Sequence, residues 1–134
     1  MSCVTTVYKG DMLFESKLGN HTLTIDGPEI WGGKDRGPKP QQLFMASIGS
    51  CVGVLVSNFC KEHHLDVTDL KVEVDYDVTD HPGQFKNIKV KINLPNAVCD
   101  DVRIRQALEH VAKHCPLTET IFTLERVNFE LATA

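Results

Sequence analysis

Between Leu70 and Val78 the chain alternates without a break: Leu70, Val72, Val74, Tyr76 and Val78 fall on one side, and Lys71, Glu73, Asp75 and Asp77 on the other. A period of two sends successive side chains to opposite faces of an extended backbone, so this stretch is expected to be a half-buried strand. Asn87 to Leu94 repeats the pattern, with Ile88, Val90, Ile92 and Leu94 inward and Lys89 and Lys91 outward. HPGQ between the two runs supplies a turn, which predicts an antiparallel hairpin whose solvated face sets Glu and Asp against Lys. The first 27 residues hold the shorter runs TTVYK, MLFESKL and HTLTID, separated by GD and GN, and Leu23 and Ile25 alternate there with Thr22, Thr24 and Asp26. They read as antiparallel strands joined by Gly-containing turns.

GPEIWGGKDRGPKP, with four Gly and three Pro, is a loop by composition. Pro40 suits the first position of a helix, where its missing N–H is no loss, and a helix is predicted from about Pro40 to His64, roughly 37 Å long. Its middle, LFMASIGSCVGVLVSNFC, carries no charge over eighteen residues. Gly49 and Gly53 have the small-xxx-small spacing of membrane helix pairs. Three Ser, two Gly and one Asn dilute the run, and no basic cluster or aromatic belt flanks it. The composition therefore argues against a membrane span and for a central helix enclosed by sheet or by a partner subunit.

Asp100 or Asp101 can cap a second helix, in which Ile104, Ala107, Leu108 and Val111 form an apolar stripe at helical spacing. That helix is expected to end near His114, because Pro116 disfavours helical geometry at Cys115. PLTETIF then restarts helically, and Val127, Phe129 and Leu131 alternate as a last strand. The predicted order is β-β-β-α-β-β-α-β, an α+β chain forming a single domain over residues 1–134 without internal repeats.

Composition changes this picture little. A 134-residue chain that is 42% hydrophobic and 24% charged is ordinary for one soluble domain. A formal charge of -4 and the absence of a Lys/Arg block argue against nucleic acid as a partner, which requires clustered cations to displace counterions. The N-terminal stretch lacks a basic segment followed by an apolar one, so the expected location is the cytoplasm. The five cysteines Cys3, Cys51, Cys60, Cys99 and Cys115 are odd in number and irregular in spacing. Such a set indicates reduced thiols and not a secreted disulfide framework.

Cys115 has the most telling context. Before Pro116, at the start of a helical turn, free backbone N–H groups and the positive end of the peptide dipole favour a thiolate, and the adjacent His114 can add charge or relay a proton. A small buried residue at a helix boundary is the competing reading. Cys51 and Cys60 are nine residues apart, which places them on opposite faces of one helix and roughly 13 Å apart along it. No disulfide can join them within that helix, and each on its own reads as a small buried hydrophobe. Cys3 and Cys99 carry no supporting pattern. His110 and His114 are spaced like metal ligands on a helix, but further ligands are not evident and a chance pair on a solvated face is the favoured reading. Phosphate-binding glycine loops and nucleophile-elbow motifs are missing from the sequence.

Taken together, PQQLFMASIGSC and HCPLTETI resemble the two cysteine motifs of the OsmC/Ohr family of thiol peroxidases, and the order of elements resembles that family over most of the chain. The resemblance implies an OsmC-like fold and an intertwined homodimer whose central helices are buried by both sheets, with reactive sites at the subunit interface. It implies that Cys51 attacks a hydroperoxide and becomes a sulfenic acid, and that Cys115 resolves it to a disulfide, later reduced by an external dithiol. The apolar neighbourhood of Phe44, Ile48 and Leu55 suits an organic hydroperoxide, and no metal or organic cofactor is needed. Where the established peroxidases carry a Glu that holds a thiolate-stabilising Arg, this chain has Gln41, and Arg36 is the loop's candidate for that Arg. The neutral Gln41 motivates a second reading, a member of the family without efficient peroxidase activity that binds a small apolar or sulfur-containing ligand at the dimer interface.

Overall fold

The computed structural model describes residues 2–79, 83–123 and 130–132, and the chain falls into two compact units, Met1–Ala46 and Ser47–Ala134. In the first unit, β1 (Thr5–Gly10), β2 (Leu13–Leu18) and β3 (His21–Asp26) form an antiparallel sheet in sequence order. Both hairpins are tight. Asp11 and Met12, between β1 and β2, each take a positive φ, as a twist-matched two-residue turn demands, and Gly19 does so between β2 and β3.

The Gly/Pro-rich loop contains one 3-10 turn, Glu29–Trp31, and is drawn back onto β3. At Gly37 a Cβ would lie 2.5 Å from the Thr24 carbonyl oxygen, so only glycine fits there. The Asp26 amide donates to the Pro38 carbonyl at 3.2 Å.

Helix α1 (Pro40–Glu62) opens with the side-chain oxygen of Gln42 accepting from the Lys39 N–H at 2.9 Å, half of a capping box. It stops two residues before the predicted end at His64. His64 adopts φ 55, and the Leu65 amide donates to the Cys60 carbonyl at 2.8 Å and the His64 amide to Lys61 at 3.4 Å, a Schellman closure that sequence periodicity does not reveal.

In the second unit, β4 (Lys71–Val78) pairs antiparallel with β5 (Phe85–Asn93). Residues 81 and 82 of the expected HPGQ turn lie outside the described residues. The register slips between Asp75 and Asp77, where Asn87 takes φ 53 and its side chain donates to Asp77 Oδ2 at 2.8 Å, the mark of a bulge. Val72, Val74, Tyr76 and Val90 are half-buried as alternation predicts, whereas Val78, Ile88 and Ile92 stay exposed, Ile88 standing next to the bulge residue Asn87. On the outer face Lys91 pairs with Asp75.

By length and composition α1 could cross a membrane. Its stripe of Ile48, Val52, Val56, Phe59 and Cys60 is nevertheless buried, each large aliphatic member contributing roughly 1.5–3 kcal/mol. Gly49 and Gly53 face β4 closely: a Cβ at Gly49 would stand 3.3 Å from Val74 and one at Gly53 3.7 Å from Val72. The helix is not enclosed on every side within the chain, since Val54 is 68% exposed.

Helix α2 (Val102–Lys113) is capped by Asp101, which accepts from the Arg103 amide at 2.8 Å, and it closes at His114. Its Leu108 and Ala112 pack on the core. Helix α3 (Pro116–Thr123) follows at once. The last strand expected at 127–131 falls largely outside the described residues. The architecture is α+β, with two small sheets and three α-helices among the described residues.

Candidate active site

Cys51 sits in the body of α1, one position off the buried stripe, and is half-buried. Cys115 is the second residue of the two-residue gap between α2 and α3, and it is fully buried. Pro116 forces that gap, since it cannot continue α2 but pre-sets the φ of a first helical position. The Cys115 sulfur then takes the place of a capping side chain: the Thr118 amide donates to it at 3.4 Å, and the Thr118 Oγ1 lies 3.3 Å away. The same hydroxyl is within reach of the Lys113 carbonyl at 3.2 Å and the Cys115 carbonyl at 3.0 Å, so one proton faces three acceptors. His114 Nδ1 and Glu119 Oε1, 2.6 Å apart, strap the end of α2 to α3.

Cys51 packs against the buried cluster that holds Cys115, and each thiol influences the ionisation of the other. Burial pushes the Cys51 thiol up, the Leu117 amide opposes this, and the neighbouring Cys115 sulfur raises it further. Burial also disfavours the Cys115 thiolate, but the Thr118 hydroxyl and amide, the Cys51 thiol and the Leu117 amide outweigh it and leave Cys115 below an ordinary thiol. Cys51 is raised and Cys115 lowered, so of the two sulfurs Cys115 is the one whose surroundings favour the thiolate. Beside the pair lies an apolar recess of about 560 Å³, lined by Ser47, Ser50, Cys51, Val54, Leu55, Pro116 and Leu117.

The family model described as OsmC-like protein matches residues 32–131, a span that contains both cysteines. The chain belongs to the OsmC-like protein family. Among solved structures it is similar to an OsmC-like protein from Mycoplasma pneumoniae, 17% identical, with a TM-score of 0.70 over 91% of this chain and 87% of that one. An OsmC-like hydroperoxide resistance protein from Jannaschia sp. CCS1 is 25% identical, with a TM-score of 0.57 over 98% and 91%. An organic hydroperoxide resistance protein OsmC from Legionella pneumophila is 21% identical, with a TM-score of 0.57 over 92% and 90%. No curated protein matches the sequence.

The resemblance assigned Arg36 and Gln41 to the thiolate's environment. Within its own unit Arg36 is held by Asp26 and Asp11: Nε donates to Asp26 Oδ2 at 2.8 Å, Nη2 to Asp26 Oδ1 at 3.1 Å and Nη2 to the Asp11 carbonyl at 2.7 Å. The carboxylate that holds it comes from the end of β3, and Gln41 stands in the first turn of α1. Arg36, followed by the amides of Lys34, Arg36 and Gly27, keeps the Asp26 carboxyl well below the usual carboxylate range despite burial.

Two residues of this chemistry escaped the sequence reading. Thr118, three residues beyond Cys115, stands at the spacing at which a helix amide meets its cap, a signal visible in hindsight. Asp26 closes an alternating strand and looks there like one more solvated position. Of the remaining cysteines, Cys60 is buried in the core and its thiol is pushed up by burial and by nearby Cys99, Cys99 is half-buried with its sulfur 3.6 Å from the Asp101 carbonyl, and Cys3 is exposed. The His110 and His114 rings lie 4.2 Å apart, and among the described residues no group of three or more His, Cys, Asp or Glu side chains is placed to hold a metal.

Proposed function

We propose that this OsmC-like protein is a thiol-dependent reductase of organic hydroperoxides that uses Cys51 and Cys115 as its redox pair. The observation that carries the reading is the packing of Cys51 against the buried cluster that holds Cys115, beside an apolar recess that Cys51 lines. Cys51, on the wall of that recess, attacks the terminal peroxide oxygen, an alcohol leaves, and Cys115 displaces water from the resulting sulfenic acid to form the disulfide. An external dithiol returns the pair to the reduced state. The recess lining supplies hydrophobic contact for the alkyl or aryl group, which hydrogen peroxide lacks. The hydroperoxide resistance proteins among the structural neighbours are consistent with such an antioxidant role in stress. The protein works as a cytoplasmic homodimer, the exposed Val54 on the uncharged helix being the surface that a second copy covers.

The test is to mix reduced protein with cumene hydroperoxide, follow peroxide loss and map the disulfide by mass. One peroxide consumed per protein with a Cys51–Cys115 disulfide is expected, and a Cys51→Ser protein that consumes peroxide at the parent rate rejects the assignment.

The raised Cys51 thiol favours a second reading, binding of a small apolar or sulfur-containing ligand without efficient turnover. It predicts saturable ligand binding at the recess while Cys51 stays reduced under peroxide.

A further inference from the structure

The two sulfurs are held unequally. Cys51 lies within α1, where the amides of its own turn are engaged in helix bonds. Cys115 stands at the open end of α3, where first-turn amides have no helical acceptor, and it receives the Thr118 amide at 3.4 Å with the Thr118 hydroxyl at 3.3 Å. Exposure runs the other way: Cys51 lines the recess, while Cys115 has 0% of its surface exposed. The sulfur a substrate can reach is the one with fewer donors, and the sulfur with the donors is out of reach.

We propose that Cys115 is the base of the pair: held by Thr118 at the start of α3, its sulfur takes the proton of Cys51 as Cys51 attacks the hydroperoxide, and Thr118 is the positioning residue. The inference rests on the dithiol reading above and deepens it. In the first step a Cys51 lone pair bonds to the terminal oxygen of ROOH, the O–O bond breaks, and the Cys51 proton passes to the Cys115 thiolate. The alkoxide leaving group then takes that proton from Cys115 and departs as ROH. Cys115, again a thiolate, attacks the sulfur of the Cys51 sulfenic acid and expels hydroxide. The sum is one thiol, one thiolate and ROOH giving one disulfide, ROH and hydroxide, with two electrons passing from sulfur to the O–O bond.

The surroundings leave this exchange to few groups. Helix α1 offers Cys51 and Cys60 to the cluster around Cys115, β4 offers Val72, β5 offers Val90, and Leu94 packs there just after β5. Next in the chain, Lys113 meets Thr118 through its carbonyl and His114 is bound to Glu119, while Glu109 and Lys113 line a cavity beside Thr118.

The test is the pH profile of Cys51 alkylation by iodoacetamide, read by mass. In the parent, the profile is expected to break below an ordinary thiol, at ~8.5, because it follows the ionisation of Cys115. Cys115→Ala is expected to slow Cys51 alkylation at neutral pH roughly tenfold or more. Thr118→Val is expected to move the break up by about one unit, the effect of one lost hydrogen bond to an anion, and Thr118→Ser to restore it. Profiles unmoved in both Cys115→Ala and Thr118→Val overturn the proposal. The two readings fail separately: peroxide consumption with unmoved profiles removes the relay alone, and shifted profiles without peroxide consumption remove the peroxidase reading and uphold the relay.

Discussion

Asp26 grips Arg36 with both carboxylate oxygens, Oδ2 accepting from Nε at 2.8 Å and Oδ1 from Nη2 at 3.1 Å. Oδ2 also accepts from the amides of Lys34 at 3.0 Å and Arg36 at 3.1 Å, so one buried anion organises most of the loop that leaves β3. A depressed carboxyl stabilises the fold fully above its unfolded value, ~3.9, and loses that contribution as the pH falls through the folded value. Asp26→Asn keeps the shape and removes the charge. Its thermal midpoint is expected below the parent's at neutral pH, with the gap narrowing steadily on acidification below ~4. Thermal melts across that range check this, and a gap independent of pH contradicts it.

The two glycines of α1 differ in what an added methyl meets. At Gly53 the nearest atom is 3.7 Å away, an ordinary contact, so Gly53→Ala is expected to gain up to about 1 kcal/mol from helix propensity. At Gly49 the 3.3 Å approach of Val74 demands a small shift, and the gain is reduced or reversed. Urea unfolding of the two variants ranks them.

Core and exposed positions on the same helix are expected to part company. Ile48 is 2% exposed, and Ile48→Ala is expected to cost about 2–5 kcal/mol of stability. Val54→Asp sits on the open face and is expected to leave the monomer's secondary structure intact while shifting the proposed dimer to monomer. Light scattering coupled to size exclusion reads the second effect, and circular dichroism the first.

Without its partner a sulfenic acid has nothing to condense with. Cys115→Ser is therefore expected to convert Cys51 to sulfinic acid under excess hydroperoxide, whereas the parent stops at the disulfide. Intact mass after peroxide treatment distinguishes the two products.

The elements were legible where one periodicity governs many residues in a row. The alternation over 70–78 and the uncharged run from Pro40 place β4 and α1 almost to the residue, and the Asp101 cap was readable from its type and position. What escaped depends on contacts between residues set apart by loops or on single dihedral angles. His64 ends α1 by taking a left-handed φ that histidine does not advertise. Asp26 and Arg36 meet only because the loop turns back on β3, and the bulge at Asn87 undoes the inward reading of Ile88. The candidate site divides the same way: both cysteines stand in legible motifs, but the Thr118 amide and hydroxyl beside the Cys115 sulfur act through distances and not through composition.

Because the Cys115 sulfur closes the first turn of α3, the thiol chemistry is also a fastening of secondary structure. A thiolate is a strong acceptor for the Thr118 amide, and a sulfur bonded to Cys51 carries no charge and accepts weakly. In the proposed cycle, oxidation is therefore expected to loosen the start of a helix and reduction to tighten it. If the proposed dithiol reductant acts on it, the oxidised protein presents a frayed helix end at the disulfide, and hydrogen exchange at Thr118 is expected to report the redox state.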